Sequence, residues 1–155
     1  MALHLSSPVL KDGDRIPTKY TCEGQDISLP LTWIEPPAGT QSFALIMDDP
    51  DDVDAPGGVF THWVLFNVPS GTHELPPAVP TQARLPSGAL QGKNDFGRIG
   101  YGGPCPTPGS SPHHYRIIIY ALDQPLDLKE GASKKQVLDG MQGHILAQGQ
   151  LTGTY

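Results

Sequence analysis

Residues 43–68 read FALIMDDPDDVDAPGGVFTHWVLFNV, two apolar runs either side of an aspartate-rich segment holding proline and glycine. Phe43–Met47 and Thr61–Val68 are rich in aliphatic, β-branched and aromatic residues and bounded by turn formers, which is the composition of strands. Leu29–Trp33 and Tyr115–Leu122 have the same character. The connections are too short for a helix after every strand, so a doubly wound parallel sheet is disfavoured and antiparallel sheets packed as a β-sandwich are expected. The length of 155 residues fits one domain, residues 1–155.

One segment departs from this pattern. From Ser133, the apolar residues Val137, Leu138, Met141, Ile145 and Leu146 recur at helical spacing, and Ser133 with Gln136 forms a capping box. The spacing predicts a single amphipathic helix near the C-terminus, weakened by Gly140 and Gly143 and held by packing. The tail from Gly149 to Tyr155 alternates weakly and is expected to close a sheet edge. From Pro69 to Pro112, both included, the chain holds nine prolines and no long strand or helix pattern. A loop of that length inside one domain points to function. Within it, Gly100–Pro106 reads as a tightly turning wall, because proline fixes φ and glycine admits close backbone approach.

A formal charge of −6 argues against nucleic acid as a partner and against docking on anionic lipid, both of which need clustered Lys and Arg. No apolar stretch approaches membrane-spanning length, so no stable membrane insertion is expected. The first residues show no basic region followed by an apolar one, which predicts a cytoplasmic protein. In that compartment Cys22 and Cys105 are expected as reduced thiols rather than a disulfide.

Three polar clusters sit at strand ends: Asp48–Asp52, His62, and His113–Arg116. Alternation along a strand puts His113 and Tyr115 on the face of Ile117 and Ile119, with His114 and Arg116 opposite. The same rule puts His62 with Val64 and Phe66, opposite Trp63 and Leu65, and either face could be core. Asp49, His62 and His113 could form a two-histidine, one-carboxylate metal set. None of the local His-x-His, His-x-x-x-His or His-Glu-x-x-His patterns that make such an assignment specific is present, and no cofactor is expected. There is no Gly-x-Ser-x-Gly, neither cysteine lies in a nucleophile motif, and Gly102-Gly103-Pro104 does not open a helix as a phosphate loop does. An anion would have to be held by side chains.

Asp49-Pro50-Asp51 with Ala55-Pro56-Gly57-Gly58, Thr61-His62-Trp63, Gly103-Pro104-Cys105-Pro106 and His113-His114-Tyr115 resemble the phosphatidylethanolamine-binding protein family. The closer likeness is to its bacterial and archaeal Raf kinase inhibitor-like branch. Tyr20–Gly24, Ser28–Trp33, Asn94–Gly97, Gly143–Ala147 and Gly153–Tyr155 carry the likeness nearly end to end. It implies a β-sandwich with a pocket for phosphate, acetate, cacodylate or a phospholipid head group, formed by Asp49, His62, Pro104, Pro106, His113 and Tyr115, with Asp51 close by. It also implies a binding or regulatory role, including inhibition of a kinase or protease, and a homodimer. Asp52-Val53-Asp54 interrupts the family's pattern, so its second aspartate is Asp51 or Asp54. His114 replaces the usual arginine and Leu29 a proline. With an Asp–His pair for charge, Tyr115 for a ligand oxygen and no nucleophile, a non-enzymatic anion-binding module is expected. The alternative is a small hydrolase or isomerase using the same pair as acid and base, with or without a metal.

Overall fold

In the computed structural model, which describes residues 3–155, the apolar run that begins at Ser42 forms a strand with no exposed residue. This strand, β3 (Ser42–Asp49), is the third of eight. The others are β1 (His4–Ser6), β2 (Leu31–Ile34), β4 (Phe60–Pro69), β5 (Glu74–Leu75), β6 (Leu90–Gln91), β7 (His114–Leu122) and β8 (Ile145–Thr154). A five-stranded sheet has the order β6-β4-β3-β7-β8 and a three-stranded sheet the order β1-β2-β5, every pairing antiparallel.

Period-2 alternation sorts the large sheet into two apolar faces, and both are buried. Phe43, Leu45, Met47, Trp63, Leu65, Ile117 and Ile119 face inward against Leu5, Leu31 and Trp33 of the small sheet. Ala44, Ile46, Val64, Phe66, Ile118 and Tyr120 form the other face, covered by Val137 and Met141 of the helix α1 (Lys134–Met141) and by Leu126. The fold is thus the expected β-sandwich of two antiparallel sheets, with one short helix outside it.

The capping box forms as predicted: the Gln136 N–H donates to Ser133 Oγ at 3.1 Å and the Ser133 N–H to Gln136 Oε1 at 2.9 Å. The helix is shorter than the spacing suggests. It ends at Met141, Gly143 turns the chain with φ of 82°, and Ile145 and Leu146 open β8, each about two-fifths exposed. A left-handed φ costs glycine nothing, so the break falls where the apolar period would have run on.

Beneath the C-terminal end of β3, Asp48 is buried and held by Arg116 through two hydrogen bonds, 2.8 and 2.9 Å, and by Lys134 Nζ at 2.7 Å. A buried carboxylate needs such partners. Here they fasten the start of α1 to the sheet.

The proline-rich stretch is pinned by buried amides and an indole. Trp63 Nε1–H donates to Gln91 Oε1 at 2.7 Å, and Gln91 Nε2 donates to the Pro80 and Gln82 carbonyls at 2.7 and 2.8 Å. Farther along, Gly92, Asp95 and Gly102 bond the edge of β4 at Val64, Thr61 and His62. The stretch therefore behaves as an irregular extra strand.

The expectation of reduced thiols is overturned: Cys22 and Cys105 form a disulfide, with Cα atoms 5.4 Å apart. The Cys22 N–H donates to the Pro104 carbonyl at 3.1 Å, so two loops 83 residues apart in sequence run side by side at this point. Among the described residues no helix is long and apolar enough to cross a membrane.

Candidate functional site: an Asp–His pocket at the end of the large sheet

Where β3 ends, Asp48 and Asp49 point to opposite faces, as alternation requires. Asp48 goes to the helix side and Asp49 to the sandwich side. Asp49 is 2% exposed and accepts the Nδ1–H of His113 at 2.6 Å. Its other oxygen accepts the Asp51 N–H at 2.8 Å, which curls the aspartate-rich loop back over the strand end.

β7 brings His113 and Tyr115 to the same place as alternation predicts, their rings stacked with centroids 6.3 Å apart. His114 points away and, with its own N–H, engages Asp51 at 2.7 and 2.8 Å. Those hydrogen bonds hold the Asp51 carboxyl below its ordinary range, outweighing the small effect of burial. Tyr115 is buried, and burial, with Asp49 and Asp52 nearby, pushes its hydroxyl upward. It remains a proton donor throughout the physiological range.

His62 reaches the pocket by a different route. The pairing of β3 with β4 shifts between Met47, opposite Trp63, and Asp48, opposite Thr61, leaving His62 as an extra residue. Such a bulge breaks the alternation of faces. Consequently His62 lies beside Tyr115 at 5.3 Å between ring centroids, and not with Val64 and Phe66 as strict alternation predicts. Its Nδ1–H donates to the Gly102 carbonyl at 2.7 Å, and the Gly102 N–H returns a bond to the His62 carbonyl at 3.0 Å. A carbonyl can only accept, so Nδ1 carries the proton and a neutral ring presents Nε2 as acceptor. Burial lowers the His62 pKa, against the opposing pull of the Gly102 carbonyl and of Asp49. Asp49 thus pairs with His113, while His62 is held by the Gly102 carbonyl.

The close approach at Gly102 is obligatory: a Cβ there would stand 2.5 Å from the Phe96 ring. Phe96 and Phe60 complete the aromatic side of the site, 4.7 Å apart between centroids and packed at 5.5 and 4.9 Å on His62.

Together these residues enclose a pocket of about 270 Å³. Of the residues singled out in the sequence, Asp49, Asp51, His62, Pro106, His113 and Tyr115 line it. Pro104 does not; it is buried behind the wall, with its carbonyl taken by Cys22, and Cys105 is the lining residue there. Asp54 also lines the pocket, so the interrupted motif places carboxylates from both candidate positions at the rim. Phe60, Phe96, Thr107 and Ser110 were not picked out by sequence reasoning. The only signal for Phe96 is an aromatic side chain in a turn sequence, Asn94-Asp95-Phe96-Gly97. Among the described residues no lysine or arginine lines the pocket, and no group of three His, Cys, Asp or Glu is placed to share a metal ion.

The depressed His62 pKa has a stability consequence. Below about pH 6.5 the unfolded chain binds a proton that folded His62 refuses, so His62 stabilises the fold fully above that pH and progressively less as pH falls toward its folded value. Chemical denaturation of wild type and His62→Gln from pH 7.5 to 5 should show a steeper loss in the wild type; parallel curves would contradict it.

A sequence model of the phosphatidylethanolamine-binding protein family matches residues 6–155. A UPF0098 protein of Methanothermobacter thermautotrophicus is 48% identical, the match covering 99% of this chain and 98% of that one. The crystal structure of E. coli YbcL, described as a member of the mammalian family of the same name, superimposes with a TM-score of 0.91 at 33% identity, covering 100% and 98% of the two chains. A Mycobacterium tuberculosis protein named lipoprotein LppC is 36% identical over 99% of this chain and 72% of its own. Matched from Ser6 to its last residue, and sharing the fold of YbcL throughout, the chain belongs to the phosphatidylethanolamine-binding protein family.

Proposed function

We propose that the pocket recognises the phosphate group of a small molecule, lipid head group or phosphoprotein, and that the protein acts by binding rather than by catalysis. The observation that carries this reading is the Asp49–His113 pair at 2.6 Å, which holds His113 by Nδ1 and leaves Nε2 free of protein partners among the described residues. With a bound oxyanion, a His113 imidazolium bridges Asp49 and the ligand through charge-assisted hydrogen bonds at both nitrogens. Tyr115 donates a further bond. Neutral His62 accepts one, which suits a ligand oxygen that carries a proton. The rim carboxylates suit a cationic substituent next to the phosphate, such as an ammonium.

Calorimetric titration of inorganic phosphate and phosphoethanolamine into wild type and His113→Ala, at pH 6 to 9, tests this. Saturable binding that drops at least about tenfold in His113→Ala is expected. Binding unaffected by the substitution would overturn it. One observation favours the enzymatic reading: a carboxylate-oriented histidine is also how a general base is held. Turnover of chromogenic phosphate or carboxylate esters, abolished in His113→Ala, would move the assignment there.

Protein partners and a homodimer belong to the same proposal, to be read by kinase and protease inhibition assays and by sedimentation. As for compartment, a cytoplasmic setting requires the Cys22–Cys105 bond to withstand cellular thiols, whereas an oxidising one does not. The name of the mycobacterial relative fits the oxidising case. Fractionation with thiol trapping separates the two.

A further inference from the structure

The pocket wall from Cys105 to Pro112 has an unusual attachment. Before it, Gly102 is bonded to His62, and Gly103 donates to Asp26 Oδ1 at 2.8 Å. After it, the His113 N–H donates to the Tyr155 carbonyl at 3.0 Å. Between those anchors, the hydrogen bonds of residues 105–112 among the described residues are local, both from Ser110 to the Thr107 carbonyl. The covalent bond from Cys105 to Cys22 is what ties this segment to the body. Cys105, Pro106, Thr107 and Ser110 line the phosphate pocket on one side. On the other side, both cysteines line a second cleft of about 420 Å³, together with Arg15 and Glu23. Both cysteines are exposed, so an external thiolate can reach the bond from that cleft. Arg15, whose guanidinium lies 4.5 Å over the Tyr155 ring, is the cationic side chain of that cleft, while Glu23 is engaged by the Tyr155 hydroxyl at 2.5 Å.

We propose that Cys22–Cys105 is a reversible thiol–disulfide modification site, and that its state decides whether the Cys105–Ser110 wall closes the pocket. The co-reactant is a dithiol. One of its thiolates attacks a sulfur of the pair, the S–S bond breaks, and the released cysteine sulfur takes up a proton. The second thiol of the reductant then displaces the other cysteine from the mixed disulfide. Two cysteine thiols are produced and the reductant becomes a cyclic disulfide; the reverse exchange restores the wall. Once released, residues 105–112 keep only their two ends, and closed conformers become a minority. Apparent affinity falls in proportion to that fraction. This affinity effect rests on the phosphate reading above, whereas release of the wall does not.

The test compares protein that is oxidised, reduced with dithiothreitol, or carries Cys22→Ser, and has two arms. Heteronuclear NOE of the Cys105, Thr107, Gly109 and Ser110 amides reads the wall, with β3 and β7 amides and far-UV circular dichroism reporting the fold. Calorimetry with inorganic phosphate reads the pocket. The expected result is lower NOE values confined to the wall and affinity reduced by about tenfold in both the reduced and Cys22→Ser proteins, with recovery on reoxidation. Unchanged wall dynamics overturns the proposal. So does loss of the β3 and β7 signals, which would make the disulfide a staple for the whole fold, and so does a mobile wall with affinity altered less than twofold. If oxidised protein binds no phosphate, the phosphate reading fails while the NOE arm still decides whether the wall is released.

Discussion

Replacing Asp49 by asparagine should weaken phosphate binding by close to thirtyfold at pH 7, about 2 kcal/mol, while leaving the fold intact. Asp49 uses both carboxylate oxygens, one for His113 and one for the Asp51 N–H. Asparagine has one carbonyl oxygen to offer, so one of these bonds is lost. The negative charge that balances a His113 imidazolium is lost in either case. Titration calorimetry of the variant against wild type measures the loss. A variant binding within threefold of wild type would show that Asp49 positions the loop and nothing more. His113→Ala alone could not make that distinction, because it removes charge and ligand contact together.

The largest loss of stability is expected at Trp63. Its side chain is fully buried between the sheets, and its N–H holds Gln91, which in turn gathers the Pro80 and Gln82 carbonyls. Trp63→Ala should cost about 4 kcal/mol, combining the cavity with an amide oxygen left without its donor. For a chain of this length that lowers the melting midpoint by roughly 8–16 °C. Trp63→Phe fills most of the cavity yet removes the N–H, so it should lie about 1–2 kcal/mol below wild type. Thermal denaturation of the oxidised proteins checks both. A loss under 2 kcal/mol for Trp63→Ala would mean that the proline-rich segment collapses into the space.

Much of this architecture was readable from residue patterns, and the exceptions share a cause. Phe43–Met47, Thr61–Val68 and Tyr115–Leu122 announce themselves because strands buried on both faces concentrate apolar residues. His113 and Tyr115 were separable from His114 because β7 alternates without interruption through them. Alternation assigns His62 to the wrong face because a bulge is a property of two paired strands, and a period-2 reading of one strand cannot see it. The C-terminal helix was drawn too long for the converse reason: Ile145 and Leu146 fit its period, but Gly143 ends it. The cysteine pair and the Phe60–Phe96 contact depend on loops distant in sequence coming together. Compartment arguments, which set the thiol expectation, say nothing about proximity.

The Cys22–Cys105 bond also divides the molecule under mechanical load. It closes a covalent ring that contains β2 through β6, while β1, β7, α1 and β8 lie outside it. Asp49 and His62 belong to the ring; Tyr115 belongs to the strand paired against it, and His113 immediately precedes that strand. A pull applied at the two ends, as a translocating motor or a force probe applies it, passes through the bridge and cannot lengthen the ring. The extension must come from β1 and from the β7–β8 arm. Peeling β7 from β3 separates the two halves of the Asp–His pocket, so tension would open the site while the ringed half keeps its strands.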